Sequence, residues 1–564
     1  MRRPPFLTSL IVTGVLLLSS CSSSAGSSST DGSDANAPGA VATGLVAEAS
    51  YADLEIVEAN LSFDHSDAID VTLVDGGSSG GAGVDVDGDT VTITTAGTYH
   101  VSGELSAGSL VVNALEGVVN LVLDGVDITA ASVAALEVVD AEQVVVWLND
   151  DSSNTLRDAS GATVDDSIKD AANATLFSTS DLWIAGEGTL NVTSNAADGI
   201  TSKDSLVVVD GVITVEATDD GLRGKDHLVI TGGDLTVDAD GDALRSDNEA
   251  IAGDSGAVEG EVWIDGGTID LTAGSDAADA ARQVTVEAGD LRITAGDDGL
   301  HSNAVLRISG GTVDIEQCYE GIEAAYMYLS GGVVTVTASD DGINVAGGEA
   351  SATEQATAES AVPPINGEGP EGVRPPVRPE GGQPMGGPGG AGRLTTAEEV
   401  TDLAGVTISA LVGGGFGGPA EGSNGSRLLE FSGGTYVLDS DGDGIDVNGA
   451  MTMTGGTLVV SGTAVDNNGA LDVDGEFLLT GGTLAANGMA AMAVGPDASS
   501  TQTSLAITFS GALPAGTVIS LSDSDGRFVS SFTTEKLSQS FIYSSDALVS
   551  GELYTVTIGG EADG

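Results

Sequence analysis

The chain has 564 residues, with 85 Asp or Glu against 17 Lys or Arg, and a formal net charge of −68. Such a charge repels nucleic-acid phosphates and anionic bilayer surfaces, so no nucleic acid is expected as a ligand and cations are. With 82 Gly, only 14 Pro and abundant Val, Thr, Ile, Leu and Asp, the composition is that of short β-strands joined by tight turns, without long amphipathic helices.

Residues 1–21 read as an export signal, with Arg2 and Arg3 ahead of a short apolar stretch that ends in Leu18-Ser19-Ser20-Cys21. That ending is similar to a bacterial lipobox, in which the cysteine is acylated. Cys21 is therefore the expected lipidation site, and the protein is expected in the cell envelope, held to a lipid bilayer on the extracytoplasmic side. Residues 22–50, rich in Ser, Gly and Ala, follow as a flexible tether. With Cys21 acylated, Cys318 is the one remaining thiol, which excludes an intramolecular disulfide framework and a cysteine zinc site.

Residues 51–499 carry the repeat, with looser early coils at Leu110 to Val112, Val118 to Leu123 and Val144 to Leu148, and with coiling expected from near residue 90. The motifs Asp198-Gly199-Ile200, Asp220-Gly221-Leu222 and Asp242-Ala243-Leu244 lie 22 residues apart. The register continues through a degenerate copy at Asp279-Ala280-Ala281, then Asp298-Gly299-Leu300, Glu320-Gly321-Ile322, Asp341-Gly342-Ile343 and a late Asp443-Gly444-Ile445. Between these motifs stand strand, Gly-Gly turn and strand, as in Leu306 to Ile315, so each unit holds three short strands. A unit of about 22 residues cannot bury its own apolar face and must stack on its neighbours, which gives a parallel β-helix. A β-propeller blade needs about 40 residues or more.

Residues 347–404 interrupt the register with a Gly/Pro-rich stretch and read as a disordered insertion. Residues 500–564 lack the repeat and read as a C-terminal β cap or small β domain over the last coil's open edge.

Stacking places Asp198, Asp220 and Asp242 in one column and Asp298, Glu320 and Asp341 in its continuation, flanked by Asp219, Asp240, Asp297 and Asp340. Like charges one coil apart repel by roughly 1 kcal/mol in water and several times that in a protein interior. Calcium, which takes six to eight oxygen ligands, is the expected counter-ion, and these ten residues are its candidate ligands. Solvated Asp-Gly turns without an ion are the plainer reading of any single copy.

A second column, three residues after the repeat acid, carries Thr201, Arg223, Arg245, Arg282, His301, Glu323, Asn344 and Asp446, with Lys203 and Lys225 two residues further on in the first two coils. Lys203, Arg223, Lys225, Arg245, Arg282 and His301 are the candidate ligand-binding residues. Either they pair with the aspartate column and fix the register, or they grip uronate carboxylates. Trp147 and Trp183 read as core packing, Cys318 and Phe431 as stacked core residues, and Tyr319, Tyr326 and Tyr328 as possible sugar-stacking faces.

On Asp198-Gly-Ile-Thr-Ser-Lys-Asp204, Asp220-Gly-Leu-Arg-Gly-Lys-Asp226 and Gly241-Asp-Ala-Leu-Arg-Ser-Asp-Asn248, the chain resembles the carbohydrate-binding β-helix family first described from a cellulolytic clostridium. The likeness extends from about residue 54 to 560 and includes Ala174 to Leu182. It implies an all-β, right-handed, single-stranded parallel β-helix like that of pectate and other polysaccharide lyases. It also implies bound calcium and affinity for cellulose-like and acidic plant polysaccharides, without established catalysis. Ala243 and Ala280 stand where the repeat has glycine, which puts calcium in doubt there. The alternatives to a surface glycan binder are a calcium-dependent lyase, with Arg223 or Arg245 as base, and a structural adhesin or spacer.

Overall fold

One strand of each coil alternates buried and outward residues, as in Val212 to Ala217 and Asp234 to Ala239. That period of two is what a sheet with one buried face requires. In a computed structural model of the chain, the described residues are 51–559 apart from 55, 116, 160, 165–170, 249–258, 347–406 and 412–426. The residues read as an export signal and tether, Cys21 among them, and the Gly/Pro-rich stretch lie outside them.

The regular elements among the described residues are strands, apart from 3-10 turns at Tyr51–Leu54 and His65–Asp67. Three ladders of parallel strands run the length of the body. Face A passes through Asp198–Ser202, Leu222–Gly224, Leu244–Ser246, Ala278–Ala280, Leu300 to Ser302, Ile322 to Ala324, Ile343–Val345 and Ile445–Val447. Face B passes through Asp181–Ala185, Ser205–Val208, His227–Ile230 and Glu261 to Ile264, and ends at Phe477–Leu479. Face C passes through Thr189–Ser194, Val212–Ala217 and Asp234–Ala239, and ends at Thr483–Gly488. The chain visits A, B and C in turn and then climbs one coil. This is a parallel β-helix with three strands per coil.

Equivalent residues stack inside. Ile200, Leu222, Leu244, Ala278, Leu300, Ile322, Ile343 and Ile445 form one fully buried column on face A. Each fully buried branched side chain in such a column contributes roughly 1.5–3 kcal/mol, so the stack is the main source of stability. Cys318 and Phe431 belong to this interior.

Coiling begins earlier than residue 90: Ile69–Val74 already pairs in parallel with Tyr99 to Glu104. Residues 51–65 make no coil. They form a strap outside face B, over the outward residues Val145, Trp183, Val207, Val229 and Trp263. Leu54 is buried there, Tyr51 meets Trp263 edge-on with ring centroids 5.9 Å apart, and Phe63 meets Trp147 at 5.7 Å. Gln143 Nε2 donates to Val57 O at 2.7 Å. Trp183 is thus buried under the strap and not inside the coils. Alternation alone leaves its direction open because Leu182 to Ala185 all read apolar.

At the far end, Ser538–Ser544 runs antiparallel to the last face-C strand and to Ser504–Leu513. A separate antiparallel sheet joins Val518–Ser522, Phe528–Thr533 and Leu553–Ile558 with Thr407–Leu411, so the C-terminal β structure expected for 500–564 also takes a strand from the break in the coils. Lys536 Nζ ties this end to the body, 2.8 Å from Asp439 Oδ1, 2.9 Å from Asp441 Oδ1 and 2.7 Å from Ser440 O.

Candidate functional site

Face A and the corner where face C turns into it gather the polar residues of the repeat. At that corner the acid, its following small residue and the first face-A strand residue are held by backbone bonds to the next coil, as in Gly221 N to Asp242 O and Leu222 N to Ala243 O. The acid then turns its carboxylate along the body. Asp220 Oδ1 accepts from Asp242 N, Asp242 Oδ1 from Asp276 N, Asp276 Oδ1 from Asp298 N and Asp341 Oδ1 from Asp443 N, at 2.6–3.1 Å. The repeat acid therefore caps a backbone donor of the next coil.

This register corrects the degenerate copy. Ala243 N donates to Asp276 O and Ala277 N to Asp298 O, so Asp276-Ala277-Ala278 is the repeat motif. Asp279 pairs with Arg245 on one side and His301 on the other, in the outward column of face A. Arg282 falls outside that column, and its Nε lies 3.6 Å from the buried Glu261 Oε1. The coil is enlarged by residues between Ser246 and Glu261 and has Ala for Gly, which hid its register.

The column acids Asp198, Asp220, Asp242 and Asp298 are buried, Asp276, Glu320 and Asp341 are half-buried, and the flanking Asp219, Asp240 and Asp297 are exposed, with Asp340 intermediate. Burial, and then the repulsion of neighbouring carboxylates, pushes Asp220 up to about 7; the same causes raise Glu320 and Asp341 to about 7. Burial also pushes Asp276 up to about 7, with Asp242 beside it. Asp298 is raised too, by burial and by Asp276 and Glu320.

In the earlier coils, cations answer this charge. Arg245 Nη1 lies 3.0 Å from Asp242 Oδ2 and 3.3 Å from Asp220 Oδ2. Arg223 bonds Asp247 through Nε and Nη2 and lies 3.6 Å from Asp198 Oδ2. His301 Nδ1 is 2.8 Å from Asp279 Oδ1 and 3.8 Å from Asp276 Oδ2. Lys203 sits over the Phe177 ring at 5.8 Å and, with Lys225, is half-exposed on the same side. The pairing alternative thus describes Arg223 and Arg245. Lys203 and Lys225 stand two residues beyond Thr201 and Arg223.

Four groups bring ligand atoms within 4.8 Å of one another: Asp198, Asp219 and Asp220; Asp276, Asp279 and His301; Asp298, His301 and Glu323; and Asp341, Asp443 and Asp446. The first and last offer only hard carboxylate oxygens, the donor type that calcium takes, whereas the middle two include a nitrogen. Asp240, Asp242, Asp297, Glu320 and Asp340 are in none of them. Asp276, Asp279, Glu323, Asp443 and Asp446 were missing from the candidate ligands, although a strict continuation of the 22-residue register reaches Asp276 backwards from Asp298. Tyr326 and Tyr328 point outward on face B, away from this site, and Tyr319 is 45% exposed.

Among known proteins, the profile of a family described as carbohydrate-binding domain-containing protein matches residues 87–345. A protein of that description from Acetivibrio thermocellus is 35% identical over 162 residues, which are 28% of this chain and 54% of the relative, so the chain spans about half of the relative's length. A solved structure described as the polysaccharide lyase-like protein from C. thermocellum, gadolinium derivative, is 31% identical with a TM-score of 0.41, covering 43% of this chain and 96% of that one.

Proposed function

From the match of residues 87–345 to the profile of the carbohydrate-binding domain-containing family, we propose that the chain binds polysaccharide along face A, with calcium assisting and without catalysis. The observation that carries the reading is the continuous face-A column, in which Arg223, Arg245 and His301 stand over a ladder of carboxylates at one-coil spacing. A rigid row of donors and cations at constant rise suits a polymer whose own repeat presents hydroxyls and carboxylates periodically, and ions on the acidic stretch would bridge uronates to the protein. The expected ligands are cellulose-like and uronate-containing glycans.

Arg223 and Arg245 are held in ion pairs with Asp247, Asp242 and Asp220, which favours binding over proton abstraction by either guanidinium. Lipidation at Cys21 would hold the body at the cell envelope. Mass spectrometry of the N-terminal peptide, expected to show diacylglyceryl cysteine, tests that part.

The binding test is retention on insoluble cellulose and on immobilised polygalacturonate, with calcium and with chelator. Retention on at least one glycan is expected, along with a several-fold loss on polygalacturonate when Lys203 and Lys225 are both replaced by Ala. No retention on either support overturns glycan binding and leaves a structural spacer. Release of unsaturated uronate, read by ultraviolet absorbance, overturns the absence of catalysis.

A further inference from the structure

Past His301, among the described residues, the ion pairs of face A have no counterpart, because the same column continues as Glu323, Asn344 and Asp446. Asp341 and Asn344 lie in one coil, and Asp443 and Asp446 occupy the matching positions of the next, with Asn344 paired to Asp446 and Asp443 N donating to Asp341 Oδ1 at 2.6 Å. Carboxylate oxygens of Asp341, Asp443 and Asp446 lie within 4.8 Å of one another.

Asn344 adds a separate observation. The residue is 9% exposed, its Nδ2 donates to Glu320 Oε2 in the preceding coil at 2.7 Å, and its Oδ1 is buried without a hydrogen-bond partner. The nitrogen is taken up by the preceding coil, which leaves the oxygen free of that contact, and the register partner of Asn344 in the following coil is Asp446. A buried carbonyl oxygen without a donor is costly, and a cation satisfies it.

These two coils are also where the chain leaves the repeat. Successive corner acids are 22 residues apart at Asp220 to Asp242 and at Asp276 to Asp298, but 102 apart at Asp341 to Asp443. Closing a longer loop costs more chain entropy, so this junction is the one where a cross-link helps most.

We propose that Asp341, Asn344, Asp443 and Asp446 bind one hard divalent cation, calcium by donor type, which clips together the two coils flanking the break in the repeat. The proposal rests on the calcium part of the reading above and specifies where an ion sits and what it holds. Two of its four residues, Asp443 and Asp446, lie past the segment that the family profile matches.

The test is calorimetric titration of calcium into the chelator-stripped, desalted full chain, alongside melting curves with and without calcium. Asp446→Asn and Asn344→Ala are each expected to weaken the tightest site at least tenfold, whereas Asp238→Asn, at an exposed carboxylate on face C outside every such group, leaves it unchanged. Asp446→Asn removes one repelling charge, so without metal it should melt no lower than the wild type while losing the calcium-induced rise. That pairing separates loss of a ligand from misfolding. A calcium-induced rise that persists in Asp446→Asn overturns the clip while leaving calcium-assisted glycan binding standing. Absence of any calcium binding to the wild type overturns both, and glycan retention in chelator would then stand by itself.

Discussion

A repeat carboxylate such as Asp220 accepts the backbone N–H of the next coil while sitting buried beside Asp198 and Asp242. The two roles oppose each other as pH changes. Because Asp220, Asp276, Glu320, Asp341 and Asp446 are pushed up to about 7, the folded chain keeps protons there that the unfolded chain has already released. Their protonated forms therefore favour the fold at low pH, and that contribution is lost as pH rises through about 7. In chelator the protein should melt higher near pH 5 than near pH 8, and calcium should restore most of the difference at the higher pH. Melting curves at the two pH values check this; a chelated protein that gains stability toward pH 8 contradicts it. The acids themselves were legible from Asp-Gly recurring at a fixed interval. Which of them a cation already neutralises was not, because Arg223 meets Asp247 as well as Asp198, and Arg282 meets Glu261, through contacts that cross coils.

At the level of the strand and its turn, the Gly-Gly corners between faces B and C depend on close stacking. The second glycine has positive φ at Gly233, Gly267, Gly311, Gly332, Gly434, Gly456 and Gly482. At Gly434 a Cβ would also lie 2.3 Å from Gly331 O in the coil below, whereas at Gly125, with φ 74°, it would meet nothing within 4 Å. Gly125→Ala should therefore cost about 1–2 kcal/mol from the left-handed backbone alone. Gly434→Ala should cost more, about 3 kcal/mol, because the neighbouring backbone must also move. Denaturant midpoints at unchanged slope measure both, and equal losses would show that the coils yield freely at this corner. The three-strand coil was readable from these turns and the period-two alternation. The enlarged coil after Ser246 was not, since Asp276-Ala277 lacks the glycine that marks the other copies.

For the whole molecule, the strap adds a buried apolar cluster outside the coils. Deleting everything before Asp64 should uncover Trp183 and Trp263 and remove the Leu54 contact, lowering stability by about 3 kcal/mol and raising the binding of a hydrophobic dye. Dye fluorescence and melting of the truncated chain, beside the full chain, test this; an unchanged melt would mean that the strap stabilises nothing. Nothing in residues 51–63 announced the role, because a segment without a repeat carries no register to read.

The strap also sets an order of events. Each coil packs on the one made just before it, so the body can assemble step by step from sequence neighbours, the pattern that favours rapid folding. Tyr51 is the exception: it emerges among the first residues of the described body, yet its ring partner Trp263 lies several coils later. Phe63 and Val57 can dock once the coils of Trp147 and Gln143 exist, but the Tyr51 end must wait until the coils through Trp263 exist. Its closure is a late checkpoint, and protection of Leu54 from solvent exchange would time the completion of that half of the solenoid.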